Sequence, residues 1–336
     1  MADAVLSVSF AGPLVTVQDG GRPGHMRFGV AASGPMDDLS FAAANAALGN
    51  PDGHAGIEVS LGGLMLTCRS GAVTIAITGG DFVVEHRGHR SRSWTVLTLQ
   101  EGDKLAVRAG SAGSWAYLAF AGALQANQWL GGKATHAPSG FGGGAIRGGQ
   151  ILQVADAVVL EDRLGDIRQP DFAEEGPIRV VMGPQDDRFL PSATDRFLKG
   201  TFTVTDGYDR MGMRLDGPML ELDGALSIPS EPIARGSIQV SGDGVPTVLL
   251  ADHQTTGGYP KIATVVSSDI GRLTQLRSGK SLRFTAVEPD TTIALARSWA
   301  QQTRGYLKDI AVPRGTLAQR LMRENLIHGM IEDDGL

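Results

Sequence analysis

Two patterns recur in the same order along this chain, and the recurrence limits its fold more than any other feature. Gly29-x4-Gly34-Pro35-Met36 returns as Gly212-x4-Gly217-Pro218-Met219, 183 residues later. Leu99-x2-Gly102-x2-Leu105 returns as Leu276-x2-Gly279-x2-Leu282, 177 residues later. Offsets that agree within six residues point to a duplicated unit. The predicted join is Glu161–Gly176, a polar stretch with Pro170 and several acids and no strand periodicity.

The repeated unit reads as β. The segments Gly63–Cys68, Val73–Thr78, Phe82–His86, Trp94–Leu99, Lys104–Arg108 and Trp115–Phe120 alternate with period two or form short apolar runs, most of them separated by Gly turns. Ile178–Met182, Thr201–Thr205, Ser237–Val240, Val245–Ala251 and Ser281–Val287 repeat that style in the second half. With 46 glycines and only 6% aromatic residues, the chain favours sheets or barrels over helical bundles. Four helices are predicted. The first, Leu39–Leu48, is Ala-rich, begins at Asp37 or Asp38 and is ended by Gly49, Asn50 and Pro51. The others are Ser268–Leu276, a helix from N-cap Asp290 to about Leu307, and an amphipathic segment after Pro313 with Leu317, Leu321 and Ile327 near one face.

Composition excludes several roles. A net charge of −6 gives no concentrated basic surface for nucleic acid, and the densest basic run, HRGHRSR with Arg87, Arg90 and Arg92, reads as a hairpin tip. Cys68 is the single cysteine, so no intramolecular disulfide forms, and its strand-like setting predicts a buried thiol. The N-terminus lacks the features of a signal peptide, and no apolar run approaches the ~20 residues of a membrane span. A cytoplasmic protein without a membrane or nucleic-acid partner is expected.

The segment from Val248 to Lys261 carries the most chemistry. An apolar strand runs into Asp252, His253, Gln254, Thr255, Thr256, Gly257, Gly258, Tyr259, Pro260 and Lys261. Gln254 and the two Thr hydroxyls can hydrogen-bond a carbonyl or carboxylate. Gly257 and Gly258 permit positive φ and the convergence of backbone N–H groups on an anion. Lys261 is one of only six lysines and supplies a compact cation. The competing reading is a tight turn with a solvated lysine. A second candidate, Asp19 and Arg22 within VQDGGRPG, either pairs internally or holds a polar substrate. Asp206, Asp209 and Arg210 repeat its acid, Gly and Arg ahead of the second Gly-Pro-Met. Gly279-Lys280-Ser281 is not a P-loop: Thr274 stands where the pattern needs Gly, and a strand follows. The Gly-rich run Ser139–Gly144 lacks the context of a dinucleotide fingerprint. His86 and His89 make a poor metal pair on a strand.

Three of these stretches together resemble the allophanate hydrolase subunit 2 family, also described as biotin-dependent carboxyltransferase-like and as the C subunit of 5-oxoprolinase. They are TVQDGGRPGHMRFGVAASGPMDDLSFAAANAALGNP at 16–51, ITGGD at 77–81 and LLADHQTTGGYPKIATV at 249–265, with IARGSIQV and the closing ENLIHGM in support. His136–Gly144 departs from the family pattern, in which an Arg-Gly pair precedes the Gly-rich turn.

The resemblance implies a mainly β fold of two tandem cyclophilin-like β-barrels, at 1–165 and 176–289, with a few short helices and a helical extension at 290–336. It implies a subunit of an ATP-dependent 5-oxoprolinase opening 5-oxo-L-proline to L-glutamate. The partners would be an allophanate hydrolase subunit 1-like protein (the B subunit of 5-oxoprolinase) and a third component, the lactam-utilisation protein (its A subunit). ATP would be used by the assembled complex, since this chain has no nucleotide motif, and the single chain would be inactive. One alternative is the carboxyltransferase component of a urea carboxylase system, which alone would involve biotin; Met211-Gly-Met213 lacks the lysine of a biotin-carrier motif. Another is a regulatory protein that binds a subunit 1-like kinase inhibitor. The expected catalytic set is Lys261, Asp252, Gln254, Thr255 and Thr256. Gly257, Gly258, Tyr259, Asp19 and Arg22 are expected to bind substrate, and no metal is expected.

Overall fold

A computed structural model describes residues 2–172, 175–224, 228–316, 318, 319 and 322. The fold is mainly β, with two sheets following one another along the chain. The first has eleven strands between Ala2 and Asp166, and the second eight between Ile178 and Ala286.

Both sheets curl toward closure. In the first, Ala2–Ala11 pairs with Ile151–Ala157 and with Leu64–Ser70. Val158 then accepts from Thr74 N–H (3.0 Å) and donates to Ala121 O (2.9 Å), returning that edge to the strands on the far side. In the second, one segment closes the ring: Ser281–Leu282 pairs with Phe202–Thr203, and Phe284–Ala286 runs parallel to Ile178–Val180. Closure removes the exposed sheet edges on which chains aggregate.

The sequence breaks the first sheet's central hairpin where the structure does not. Val73–Thr78 and Phe82–His86 belong to one strand, Ala72–His86; Lys104–Arg108 and Trp115–Phe120 belong to another, Lys104–Phe120. The intervening glycines are bulges, not turns, and the ladder shifts register on either side of Asp81. A Cβ on Gly80 would stand 2.6 Å from Gly113 Cα, and one on Gly110 would stand 2.0 Å from Asp81 O. Only glycine lets the two backbones cross so closely.

Helix α1 (Asp38–Leu48) is capped by Asp37, whose carboxylate accepts from Ser40 N–H (3.1 Å) and Ser40 Oγ–H (2.6 Å). Gly49 at φ 73° ends it. Its alanines let it pack closely, and Phe41, Ala43, Ala44, Ala47 and Leu48 share one core cluster with Tyr117 of the first sheet and Val180, Phe202 and Leu215 of the second. A second cluster, including Leu6, Leu66, Ile75 and Val107, fills the first sheet alone. The halves are thus joined by common core, not only by the chain. Cys68 is buried as expected, and burial raises its thiol pKa.

Helix α2 (Pro191–Lys199), absent from the sequence reading, sets Phe197 against Phe202 and Phe284 with centroids 6.0 and 4.7 Å away. Helix α3 (Ser267–Thr274) lies where expected. Helix α4 (Pro289–Ile310) has Glu288 rather than Asp290 at its N-cap position, without a side-chain cap, because Pro289 takes the first helical position, where a missing N–H is no loss. It packs on α1 and α3. The expected join is also anchored: Gly165–Asp166 pairs with Thr95–Val96, and Phe172 meets Trp299 and Tyr306 edge-on at 5.1 and 5.9 Å. The two Gly-x4-Gly-Pro-Met segments adopt different local structures. The first is a loop leading into α1, and the second begins as strand Gly212–Asp216. Leu317, Leu321, Ile327 and the ENLIHGM segment lie outside the described residues. Among the described residues, no helix is long and apolar enough to cross a membrane.

Asp37 also accepts from Gln275 Nε2 (2.9 Å), so it caps α1 and ties it to the second half. Asp37→Ala is expected to cost about 1–2 kcal/mol. Chemical denaturation would show it, and a loss below about 0.3 kcal/mol would mean that solvent replaces the cap.

Candidate functional site

The polar centre of the molecule forms where the two halves meet, around Arg210. Asp209 holds the local turn, its Oδ1 accepting from Met211 N–H (2.7 Å) and Gly212 N–H (3.1 Å). Asp252 N–H donates to Arg210 O (2.8 Å), which brings the strand end at Asp252 alongside. The Arg210 guanidinium, 1% exposed, donates to Asp252 from Nε (2.8 Å) and Nη2 (3.1 Å), to Gly34 O (2.7 Å), and to Glu58 Oε1. Glu58, inside strand Gly56–Ser60, also accepts from Met36 N–H (2.7 Å), while Tyr117 OH accepts from Asp37 N–H (2.7 Å). One cation of the second half thereby fixes a carboxylate and a turn of the first.

Burial opposes the charge on Arg210, yet Glu58 and Asp252 hold its pKa above the ordinary value. Burial pushes Glu58 up against the pull of Arg210 and the Met36 N–H. Burial also pushes Asp252 up, but Arg210 and the Ala137 N–H outweigh it and keep this carboxyl below its usual range. Burial holds the phenols of Tyr117 and Tyr208 neutral.

Two predicted regions meet here. Arg22, 2% exposed, donates to Ser33 Oγ (3.1 Å) and Ala134 O and lies 4.8 Å from the Trp129 ring centroid. Ser33 in turn helps to keep the Asp252 carboxyl below its usual range. Asp19 does not pair directly with Arg22; it accepts from the N–H groups of Gly21 (2.8 Å), Lys133 and Ala134 (3.0 Å) and shapes the adjoining loop. Ala137 N–H reaches Asp252 Oδ2 at 3.0 Å. Asp19, Arg22 and Asp252 therefore belong to one network whose polar groups are mostly satisfied from within.

The rest of the predicted loop forms a separate group. Gln254 Nε2 donates to Gln239 Oε1 (3.1 Å), and Gln239 Nε2 donates to Tyr259 O (3.3 Å). Burial lowers the pKa of His253, whose Nδ1 lies 2.6 Å from Gln254 O. Thr256 and Gly257 pair with Pro232 and Glu231 in a two-stranded ladder outside both barrels. Thr255 is half-buried, while Thr256 and the Tyr259 ring are exposed.

Gly257 and Gly258 do not take positive φ, contrary to the sequence reading. Close approach to backbone disfavours a side chain at Gly258, where a Cβ would stand 2.9 Å from Ile228 O; at Gly257 a Cβ would meet Ile233 Cδ1 at 2.6 Å, a side-chain end that can move aside. Lys261 is likewise not a turn residue. It opens strand Lys261–Val265, is 2% exposed, and its ammonium has no hydrogen-bond partner among the described residues. Glu231 Oε2 is 3.7 Å away. A buried, unsatisfied ammonium is costly, which marks it as a place for a ligand oxygen.

The sequence reading missed Glu58, Tyr117 and the pairing role of Arg210. Glu58 had a signal, a lone acid between Ile57 and Val59. A cleft of about 440 Å³ lies elsewhere, lined by Asp37, Asp81, Trp94, Asp269, Arg272 and Trp299. Its acids are already paired, Asp269 with Arg179 (2.6 Å) and Arg272 (2.6 Å) and Asp81 with Arg92 (3.2 Å). Among the described residues, no cluster of three metal-ligating side chains exists.

The depressed pKa of Asp252 has a pH consequence. Such a carboxyl contributes stability that is complete above its unfolded value of ~3.9 and is lost as pH falls through the lower folded value. Wild type should therefore lose more stability than Asp252→Asn between pH 7 and pH 3. Equal slopes in urea midpoints against pH would rule this out.

Residues 28–286 match the family described as carboxyltransferase domain, subdomain A and B. The chain is 32% identical over 285 residues to the C subunit of 5-oxoprolinase from Haemophilus influenzae, covering 84% of this chain and 91% of that protein. It is 30% identical over 327 residues to a putative urea carboxylase of Emericella nidulans, covering 91% of this chain but 26% of that protein. The crystal structure of TTHA0988 matches with a TM-score of 0.74 at 31% identity over 84% of this chain, which spans 56% of that longer one. With matches of this extent, and with the two curled sheets in place, the chain belongs to the carboxyltransferase-domain family that includes the C subunit of 5-oxoprolinase.

Proposed function

We propose that this chain is a subunit of an ATP-dependent 5-oxoprolinase that hydrolyses 5-oxo-L-proline to L-glutamate, and that Lys261 is its principal catalytic cation. The observation that carries the reading is the buried Lys261 ammonium, without a hydrogen-bond acceptor among the described residues, in a chain that aligns along nearly all of a 5-oxoprolinase C subunit. The reaction adds water to the lactam carbonyl, breaks the ring C–N bond and passes a proton to the leaving nitrogen. Lys261 would stabilise the negative charge that develops on the carbonyl oxygen. Gln254, held by Gln239, would present an amide to the substrate's own amide. Asp252 serves from within the Arg210 network by fixing the start of the loop.

Gly279-Lys280-Ser281 is not a phosphate-binding loop, since it leads into strand Ser281–Leu282, not a helix. ATP would be used elsewhere in an assembly with a subunit 1-like partner and a third, lactam-utilisation protein, in the cytoplasm. The second reading, a carboxyltransferase component of a urea carboxylase system, draws on the urea carboxylase relatives. Reconstitution with the encoded partners decides between them. Hydrolysis of ATP that depends on 5-oxoproline and requires all components is the expected result. Carboxylation of urea from carboxybiotin by the same assembly would overturn it, as would full 5-oxoprolinase activity of this chain alone.

A further inference from the structure

Lys261 is buried beneath a strap that does not belong to the barrel. Among the described residues, Glu231–Pro232 pair only with Thr256–Gly257, and the strap is fastened by two further backbone bonds, Ile228 N–H to Gly258 O (2.8 Å) and Ile233 N–H to Thr255 O (3.1 Å). Strand Lys261–Val265, by contrast, is paired on both sides, with Ser237–Gln239 and with Val180–Met182. Glu231 is the strap residue that faces the ammonium.

The contact is incomplete. Glu231 Oε2 stands 3.7 Å from Lys261 Nζ, too far for a hydrogen bond, and that same oxygen is taken by Gln185 Nε2. Gln185 cannot easily shift, because its Oε1 accepts from Lys261 N–H (3.0 Å) and its own N–H donates to Lys261 O (3.1 Å). The Glu231 side chain is 47% exposed while that of Lys261 is 2% exposed. Of the two side chains, Glu231 is the one that meets solvent.

We infer that Glu231 is a built-in competitor for the Lys261 ammonium, and that the site selects small ligands bearing an oxyanion such as a carboxylate, which displaces it. The inference rests on Lys261 being the site cation and adds the class of group that it receives: an ammonium has three N–H donors, so it can hold the entering carboxylate with one and keep another for the lactam carbonyl oxygen. A carboxylate substrate would gain close charge-assisted hydrogen bonds that Glu231, tied to Gln185, does not make. Specificity then follows from competition. A neutral lactam has no charge with which to displace Glu231, whereas an anionic one does.

The test needs no turnover. Lys261 of the full chain is labelled with trinitrobenzenesulfonate, an anionic amine reagent, and with acetic anhydride, a neutral one, and the labelled peptides are resolved by mass. In Glu231→Gln the ratio of anionic to neutral labelling at Lys261 is expected to rise about fivefold, the effect of removing one half-exposed opposing charge. The ratio at the other five lysines should not change. An unchanged ratio at Lys261 would overturn the inference, and equal acceleration by both reagents would replace it with a simple lid. In the same variant, 5-oxo-L-proline is expected to protect Lys261 while neutral 2-pyrrolidinone is not. Acceleration without protection by 5-oxo-L-proline would keep Glu231 as the competitor and discard 5-oxoproline as the substrate.

Discussion

Arg210→Ala is expected to cost about 3–5 kcal/mol at pH 7, the largest stability loss among the charged residues of the molecule. The loss would come from what is left behind. Glu58 and Asp252 are both 0% exposed by side chain, and both would lose the cation that compensates them. The Gly34 carbonyl would lose a donor as well. Exposed pairs such as Arg214–Asp243 and Lys199–Asp195, with side chains about half-exposed or more, contribute at most about 1 kcal/mol because water screens them. Arg214→Ala is therefore the control. Adding Glu58→Gln to the Arg210→Ala background should recover part of the loss, since one of two uncompensated carboxylates disappears. Urea unfolding of the four proteins measures all of this. A loss below 1 kcal/mol for Arg210→Ala would show that water enters and solvates the two acids.

Lys261→Met is expected to reduce turnover of the assembled enzyme by roughly a hundredfold, about 3 kcal/mol of transition-state stabilisation, with little or no loss of stability. For a solvated lysine in a loop, alanine would be the natural test. Burial changes the choice. Alanine would open a cavity around a side chain that is 2% exposed, whereas methionine keeps the stem and removes only the charge. An ammonium without a hydrogen-bond acceptor costs the folded state, so a neutral replacement should leave the melting temperature unchanged or raise it. A gain in stability paired with a loss of activity would mark a residue kept for function. A Lys261→Met enzyme with normal turnover would show that the lysine only packs.

Glu58 and Lys261 show why sequence reading reached one and missed the other. Lys261 could be singled out because it ends a run of donors beside two glycines, a local pattern of side-chain types. Its depth could not be: the carboxylate that faces its ammonium belongs to Glu231, about thirty residues earlier in the chain. Glu58 lies between Ile57 and Val59 with no chemical neighbours in sequence, and its partner Arg210 is 152 residues away. Arg210 itself was visible only as an echo of Arg22.

By itself the sequence determined what short-range chemistry determines. Period-two alternation and glycine spacing fixed most strands, Asp37 and Gly49 bounded α1, and the long motif segments placed the chain in its family. Tertiary structure decided the rest. It joined strands across Gly79–Gly80 and Ala109–Gly113, because only the facing backbone shows that these glycines are bulges. It closed the second barrel through Ser281–Ala286, which pairs with strands on both sides. It also sorted the predicted site residues into two groups. Asp19, Arg22 and Asp252 went into a satisfied network between the halves, and Lys261 went beneath a strap with its charge uncompensated by a hydrogen bond. Satisfaction of a polar group depends on partners far away in sequence, so only the folded chain shows which group is left to meet a ligand.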